Sequence, residues 1–445
     1  MHFFIILLIC AACGDEPPAP AKIKLPLLEL QQANIGVQAF NAGRALQARG
    51  QFTQAEQAYR QALNEAPSNP QYHYYLGVAL HAQSRFTEAQ KQFEKALEIK
   101  PDYAGPHIAL GKMLYDVHGM VSEARELLTT ALQLAPEATE ARYILGLIHQ
   151  REGQWPEAIN IFSAIVAADT SHLKARTQLG FAHLQQGDYP QAERELRQVI
   201  RLNPHEPAAF LGLGQTLSRS GADEEGRRFI ERARILGEQN TQLKPHHEAM
   251  LKYPNQPKAH SNLAALYNRF GRLKLAAEHY HQSIRIDSTY GPGYQGLGNM
   301  HQRRGKDALA ARYYLEALRW DSTLAESHNN LGLLLHGKGE LEKSIQQYEK
   351  AVRLAPDVGF YISNLGNAYL EAGQLDRAKT AADRAIAKNP SLVSAHILLG
   401  DVYARQDDFA QALKQWQAIP AIAADNERLR AKITDAQQRL AAQAK

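Results

Sequence analysis

Apolar and polar residues alternate along this chain in blocks of helical period, two blocks to a unit, separated by short polar turns. The stretch "HNNLGLLLHGKGELEKSIQQYEKAVRLAPD", His328 to Asp357, reads as two amphipathic helices, yet it carries Gly332 inside the first of them. Glycine in a helix interior costs roughly 1 kcal/mol relative to alanine, so its presence asks for a compensating close approach of backbones. The same small position recurs as Gly43, Gly77, Gly111, Gly146, Gly180 and Gly214, then as Ala264, Gly298, Gly332, Gly366 and Gly400. Successive separations are 34, 34, 35, 34 and 34 residues, then 50, then 34 four times.

Other positions keep the same period. A leucine precedes the small residue at Leu76, Leu110, Leu145, Leu179, Leu213, Leu263, Leu297, Leu331, Leu365 and Leu399. Seven residues after it comes a turn glycine, as in Gly50, Gly153, Gly187, Gly339 and Gly373, and five further on a second small residue, as in Ala55, Ala89, Ala158 and Ala378. Large residues at Tyr59, Phe93, Phe162, Tyr280, Tyr314, Tyr348 and Trp416 are expected to fill the space between neighbouring helix pairs. Pro67, Pro101, Pro136, Pro204, Pro356 and Pro390 stop the second helix.

These marks resemble the tetratricopeptide repeat (TPR) family, whose unit is a helix-turn-helix of 34 residues. The resemblance covers about residues 36 to 424 as eleven repeats and implies an all-α superhelical solenoid closed by a C-terminal capping helix. Departures are local: Ser84 and Asp407 replace the turn glycine, Gly226 the second small residue, and Thr170, Ser288 and Ser322 the terminal proline.

Composition changes this picture only at the N-terminus. Lys plus Arg is 50 and Asp plus Glu 46, a net charge of +4 spread without blocks, so no nucleic-acid partner is expected. The two cysteines, Cys10 and Cys13, lie in "MHFFIILLICAACGDEPPAPA", where a short apolar run from Phe3 to Ile9 reads as a secretory segment. Cys10 to Cys13 resembles a bacterial lipoprotein cleavage box, which implies lipidation of Cys13 and a place in the bacterial envelope, lipid-anchored at the outer membrane and facing the periplasm.

The expected organisation is a lipoprotein-type signal peptide over 1–13, then a tether and short N-terminal helix over 14–35 with that helix at Leu25 to Ala33. A first block of six repeats covers 36–236 and a second block of five covers 257–424, with a capping helix over 425–445. Between the blocks, 237–256 reads as a joint inside an extended sixth repeat, broken near Gly237 to Lys244 and restarting at Pro245, a favoured first helical residue.

Chemistry-bearing constellations are sparse. His107, His260, His328 and His396 share the fourth repeat position, a packing position in the resembled family. His246 and His247 are adjacent on a helix and point about 100° apart, with no carboxylate or cysteine cluster beside them, so no metal is expected. The chain shows no nucleophile motif or phosphate loop, and neither an enzyme nor a cofactor is expected.

The resemblance implies a concave groove lined by repeat positions two, five, six, nine, twelve and thirteen. In repeats one to five these are Val37, Phe40, Tyr74, Val78, Ile108, Tyr115, Tyr143, Leu147, Phe181 and Leu184, suited to apolar anchors of a partner. In repeats seven to ten they include Asn262, Arg269, Gln295, Asn299, Arg303, Asn329, Asn330, Asn364 and Asn367. Side-chain amides in such a row hydrogen-bond an extended backbone, and the row resembles the asparagine ladder of O-linked N-acetylglucosamine transferases. The chaperone-type carboxylate clamp is not expected, because Gln295, Phe360 and Asn364 stand where its basic residues belong. No part of the 445 residues reads as a nucleotide-sugar domain. The expected partners are therefore other proteins or extended peptide segments, bound by a scaffold for assembly or secretion complexes. The alternative is an adaptor that recruits a cell-wall hydrolase or glycosyltransferase carried by another chain.

Overall fold

The computed structural model describes residues 27–418 and 427–443. The signal-peptide and tether expectations, with Cys13, fall outside the described residues. Within them the chain forms twenty-three α-helices and no strand.

Helices come in pairs, one pair per repeat. The first three pairs are α1 (Leu27–Ala48) with α2 (Phe52–Glu65), α3 (Pro70–Ala82) with α4 (Phe86–Ile99), and α5 (Ala104–Met113) with α6 (Val121–Leu134). Next come α7 (Thr139–Arg151) with α8 (Trp155–Ala168), α9 (Leu173–Gln186) with α10 (Tyr189–Leu202), and α11 (Pro207–Arg219) with α12 (Asp223–Lys252). The later pairs begin with α13 (Pro257–Arg269) and α14 (Leu273–Ile286), α15 (Gly291–Gln302) and α16 (Asp307–Trp320), and α17 (Ala325–Gly337) and α18 (Leu341–Leu354). They end with α19 (Gly359–Glu371) and α20 (Leu375–Lys388), α21 (Val393–Arg405) and α22 (Phe409–Gln417), before a last helix, α23 (Glu427–Gln443).

The helix-interior glycine is explained by the residue sixteen positions later. A Cβ on Gly77 would lie 2.6 Å from the Phe93 ring, and one on Gly298 would lie 2.5 Å from the Tyr314 ring. The large residue therefore packs inside its own pair, over the glycine, rather than only between pairs as the periodicity suggested. Phe93 and Tyr314 are buried completely or nearly so, as are Ala89 and Ala310, where the second helix crosses the first. Where the large residue is aliphatic the arrangement persists, with Leu196 against Gly180 and Leu128 against Gly111.

One extra residue explains the single 35-residue interval. Between α5 and α6 the chain makes a π-helical turn, Leu114–His118, ended by Gly119 at φ 65°. The wider turn absorbs the insertion without displacing Leu128 from Gly111.

Replacement of the loop proline is compensated by side-chain bonding. At Thr170, Ser288 and Ser322 the loop is held by the preceding aspartate, whose carboxylate accepts from the residue two further on: Asp169 from Ser171, Asp287 from Thr289 and Asp321 from Thr323, with backbone N–H bonds of 2.9 Å each. These bonds hold the Asp169 and Asp287 carboxyls below the usual aspartate range.

The two replaced turn glycines keep the glycine conformation. Ser84 and Asp407 each have φ 61°, the left-handed region that disfavours a side chain. Ser84→Gly is expected to stabilise the protein by roughly 0.5–1 kcal/mol, read as a higher urea midpoint with an unchanged slope.

The expected short helix at Leu25 to Ala33 is not a separate element. No proline or turn lies between it and the first repeat, and α1 runs without a break from Leu27 to Ala48. The break expected near Gly237 to Lys244 is likewise absent: α12 is continuous over 30 residues with Pro245 inside it. Both halves of α12 have an apolar seat. Leu236 is fully buried with Phe210 and Ala233, and Leu243 is buried with Leu263 and Tyr267. Burial of both leucines holds the helix through a proline that would otherwise end it.

The chain divides into two compact units, one up to Leu236 and one from Gly237. In the first unit the leading helices of successive repeats touch one another, α1 with α3, α3 with α5, α5 with α7, α7 with α9 and α9 with α11. The second helices form no comparable layer, so the leading helices line the inner side of the unit. In the second unit α13 meets α15, α17 meets α19, and α19 meets α21. At its end α23 lays Leu429, Ile433, Ala436 and Leu440 against Phe409, Leu413 and Trp416, covering the last repeat.

Candidate functional site: two inner faces

In repeats two, seven, nine and eleven the histidine at the fourth repeat position ties its helix pair together. Ring Nε2 atoms of His73, His260, His328 and His396 meet the carbonyls six residues earlier, of Pro67, Pro254, Ser322 and Pro390, at 2.8 to 3.2 Å. Their Nδ1 atoms meet the residue nineteen later: Gln92, His279, Gln347 and Gln415. In repeat five the same clasp is ionic. Arg176 donates to Thr170 O at 3.0 Å and to Glu195 at 2.5 Å. Among the described residues no group of three or more His, Cys, Asp or Glu side chains is placed to hold a metal ion.

The inner face of the first unit is apolar and aromatic. Tyr74, Val78 and Ile108 come together around a cavity of about 170 Å³, completed by His81, Phe93, Ala109, Lys112 and Glu140. The Tyr74 ring is held by Tyr75 at 5.2 Å, Tyr103 at 5.4 Å and Phe93 at 6.0 Å, so it is positioned without a ligand. Burial, then Tyr75 and Glu140, raises the Tyr74 pKa, and burial raises that of Tyr103 to about 12, so both phenols remain neutral donors. Burial, then Lys112, lowers the His81 pKa, leaving an uncharged ring at neutral pH. Lys112 and Glu140 close one wall with an ion pair at 2.5 Å.

Further along, Tyr115, Tyr143, Leu147 and Phe181 are half-buried on the same helix series. Tyr143 rests on Phe162 and His172, and Tyr115 lies under the Arg151 guanidinium at 5.9 Å. Val37 is exposed. Two expected groove residues belong to the core instead. Phe40 is buried among Tyr59, Tyr72 and Tyr75, and Leu184 is 1% exposed. Repeat positions do not separate a groove-facing side chain from one turned towards the neighbouring helix, since both sit on the same stripe.

The inner face of the second unit is polar and internally bonded. The Asn299 amide donates to Glu326 at 2.9 Å, and its carbonyl accepts from Asn330 at 2.9 Å and from the Tyr314 hydroxyl at 2.8 Å. Asn329 then donates to Asn330 at 3.0 Å, and Asn364 donates to Asn329 at 2.9 Å. Four asparagines from three repeats thus form one chain of amides. Asn329 and Asn364 are buried, so their contribution to a partner is to orient Asn299 and Asn330, which remain half-buried. Each side-chain amide has two donors and two lone pairs, so Asn299 and Asn330 keep capacity towards the groove. Asn262 is exposed and Asn367 half-buried, and both stand outside the ladder.

The sequence reading missed His81, Lys112 and Glu140 as cavity walls and Glu326 as the carboxylate that receives the ladder. All four occupy inner repeat positions and were legible there, but they read as ordinary solvated polar residues.

Paired helices stacked through glycine–ring contacts, with the leading helices forming an inner wall, define a helical repeat protein of the solenoid class. The chain belongs to the tetratricopeptide repeat family: models of that repeat match residues 40–104, 177–241 and 363–427, and a further one residues 325–358. Residues 117–199 match the model of anaphase-promoting complex, cyclosome, subunit 3. Among curated proteins no sequence matches the chain. Solved structures that it resembles include YrrB, described as a TPR protein with an unusual peptide-binding site, at 20% identity and TM-score 0.36, covering 43% of this chain and 97% of that one. Yeast Tom70 is similar at 14% identity and TM-score 0.36, covering 92% and 96%. The APC/C hetero-tetramer Cut9-Hcn1 is similar at 13% identity and TM-score 0.38, covering 92% and 98%.

Proposed function

We propose that this chain is a non-catalytic scaffold of the bacterial envelope, lipid-anchored through Cys13, that holds partner segments on its inner faces and supports an assembly or secretion complex. The observation that carries the binding reading is the preformed cavity at Tyr74, Val78 and Ile108, large enough for one apolar side chain and walled by rings that already have their packing partners. The amide ladder of the second unit supplies a different chemistry, suited to backbone groups of an extended segment. The anchor reading rests on the sequence, where the apolar run Phe3 to Ile9 ends two small residues before Cys13.

Co-purification from solubilised membranes tests both parts. Tyr74→Ala removes the ring that forms the cavity, and loss of a central aromatic anchor commonly costs about 2 kcal/mol or more, so partner recovery should fall by more than about tenfold while helicity is kept. Unchanged recovery would remove the cavity from the interface. Cys13→Ser should move the protein from the membrane to the soluble fraction, and a variant that stays membrane-bound would sink the anchor. Recovery of one hydrolase or transferase in place of a multiprotein assembly would favour the adaptor reading.

A further inference from the structure

We propose that the inner face of the first unit selects acidic segments, taking an extended strand of another protein that carries carboxylates on both sides of one large apolar anchor. This rests on the groove reading above and adds the charge of the partner to it.

Charge along that face is skewed although the chain as a whole is nearly balanced, with 50 basic and 46 acidic residues. The inner repeat positions of α1, α3, α5, α7, α9 and α11 carry the cations Arg44, Lys112, Arg151, Lys174 and Arg219. They carry only two anions, Asp116 and Glu140. Glu140 is neutralised by Lys112. Arg44, Arg151, Lys174 and Arg219 have no carboxylate partner among the described residues, and Asp116 alone opposes them. The same positions of the second unit come close to balance, with Lys258, Arg269, Arg303 and Arg405 against Glu326, Glu371 and Asp401. The excess is thus a property of one face.

Two of these cations are set in place. The Arg44 guanidinium lies 5.7 Å from the Tyr75 ring centre and that of Arg151 lies 5.9 Å from the Tyr115 ring centre. A guanidinium resting on an aromatic face keeps its edge N–H groups for a planar acceptor, and a carboxylate meets two of them at once. Arg44 belongs to the first repeat and Arg151 to the fourth, while the cavity lies between them on the second and third. A strand seated with its apolar side chain between Tyr74 and Ile108 therefore runs towards a free arginine in each direction. A polynucleotide fits less well, because between the two arginines the wall is apolar apart from the Lys112–Glu140 ion pair and Asp116, and offers no continuous row of cations.

The test uses the purified full-length chain and short fluorescein-labelled peptides with a central Phe flanked by Asp, by Ser or by Lys, followed by anisotropy. The Asp peptide should bind about tenfold or more tighter than the Lys peptide at low salt, with the gap closing as salt rises. Arg44→Gln with Arg151→Gln should remove the gap without changing the unfolding midpoint, and Tyr74→Ala should weaken all three peptides. Equal binding of the Asp and Lys peptides, both weakened by Tyr74→Ala, would overturn the charge selection and leave the groove reading standing. Absence of binding, or binding indifferent to Tyr74→Ala, would overturn both. Tighter binding of a short oligothymidylate than of the Asp peptide would replace the peptide partner by nucleic acid.

Discussion

Arg176→Met is expected to destabilise the protein by about 3 kcal/mol, because it leaves Glu195 charged and sheltered without its main partner. The side chains of Arg176 and Glu195 are only 11% and 10% exposed and meet at 2.5 Å. Arg194 approaches Glu195 at 3.3 Å but is itself 67% exposed, so solvent screens much of its help. The substitution also strips the Thr170 carbonyl of its 3.0 Å donor. The clasp at His328, which reaches Ser322 O and Gln347, meets the same geometry without a carboxylate. Arg176→His combined with Glu195→Gln should therefore recover most of the loss, whereas Arg176→His alone should not. Urea denaturation of the four proteins checks this, and equal stability of Arg176→Met and the parent would mean that Glu195 is well solvated.

Gly298→Ala should cost roughly 2–3 kcal/mol even though alanine is the better helix former by about 1 kcal/mol. The added methyl would sit 2.5 Å from the Tyr314 ring, and that ring is fully buried, so it can yield only by moving its hydroxyl. That hydroxyl sits 2.6 Å from the Gln302 side-chain carbonyl and 2.8 Å from that of Asn299, the start of the amide ladder, and shares its one proton between them. Overpacking and loss of those bonds together outweigh the gain in propensity. Gly337→Ala is the matched control: it lies at the end of α17 with nothing within 4 Å of its Cβ position and a backbone that alanine accepts, so it should stabilise by several tenths of a kcal/mol. Thermal unfolding distinguishes the two, and a harmless Gly298→Ala would show that the helices of repeat eight separate at little cost.

Both expectations turn on what the repeat pattern alone carries and what it leaves open. The 34-residue period, the interior glycines and the loop prolines were sufficient to place the helix pairs, because each mark reflects a local requirement: a backbone that must come close, a turn that needs φ > 0, a helix that must stop. The turn at Ser84 shows how strong that requirement is, since the backbone takes φ 61° even with the wrong residue. The periodic reading also found Tyr74, Val78 and Ile108 of the cavity, since a side chain every 34 residues on the leading helices necessarily returns to one wall.

What the pattern did not decide were the matters settled between helices. Phe40 and Tyr74 occupy the same repeat position, yet Phe40 is enclosed by Tyr59, Tyr72 and Tyr75 while Tyr74 lines a cavity. Pro245 looked like a restart and lies inside a continuous helix, because the burial of Leu236 and Leu243 outweighs one missing backbone bond. The asparagines read as a row of amides facing a partner's backbone, and four of them are bonded to one another instead, as Asn364 finds Asn329 only across two stacked repeats. The sequence by itself determined the repeat, its helices and the residue types along each inner face, since those follow from local conformation and period. Only the tertiary structure decided which of these side chains are enclosed, which are tied to one another and which remain open to a partner, since enclosure and hydrogen bonding depend on neighbours some thirty residues away in the chain.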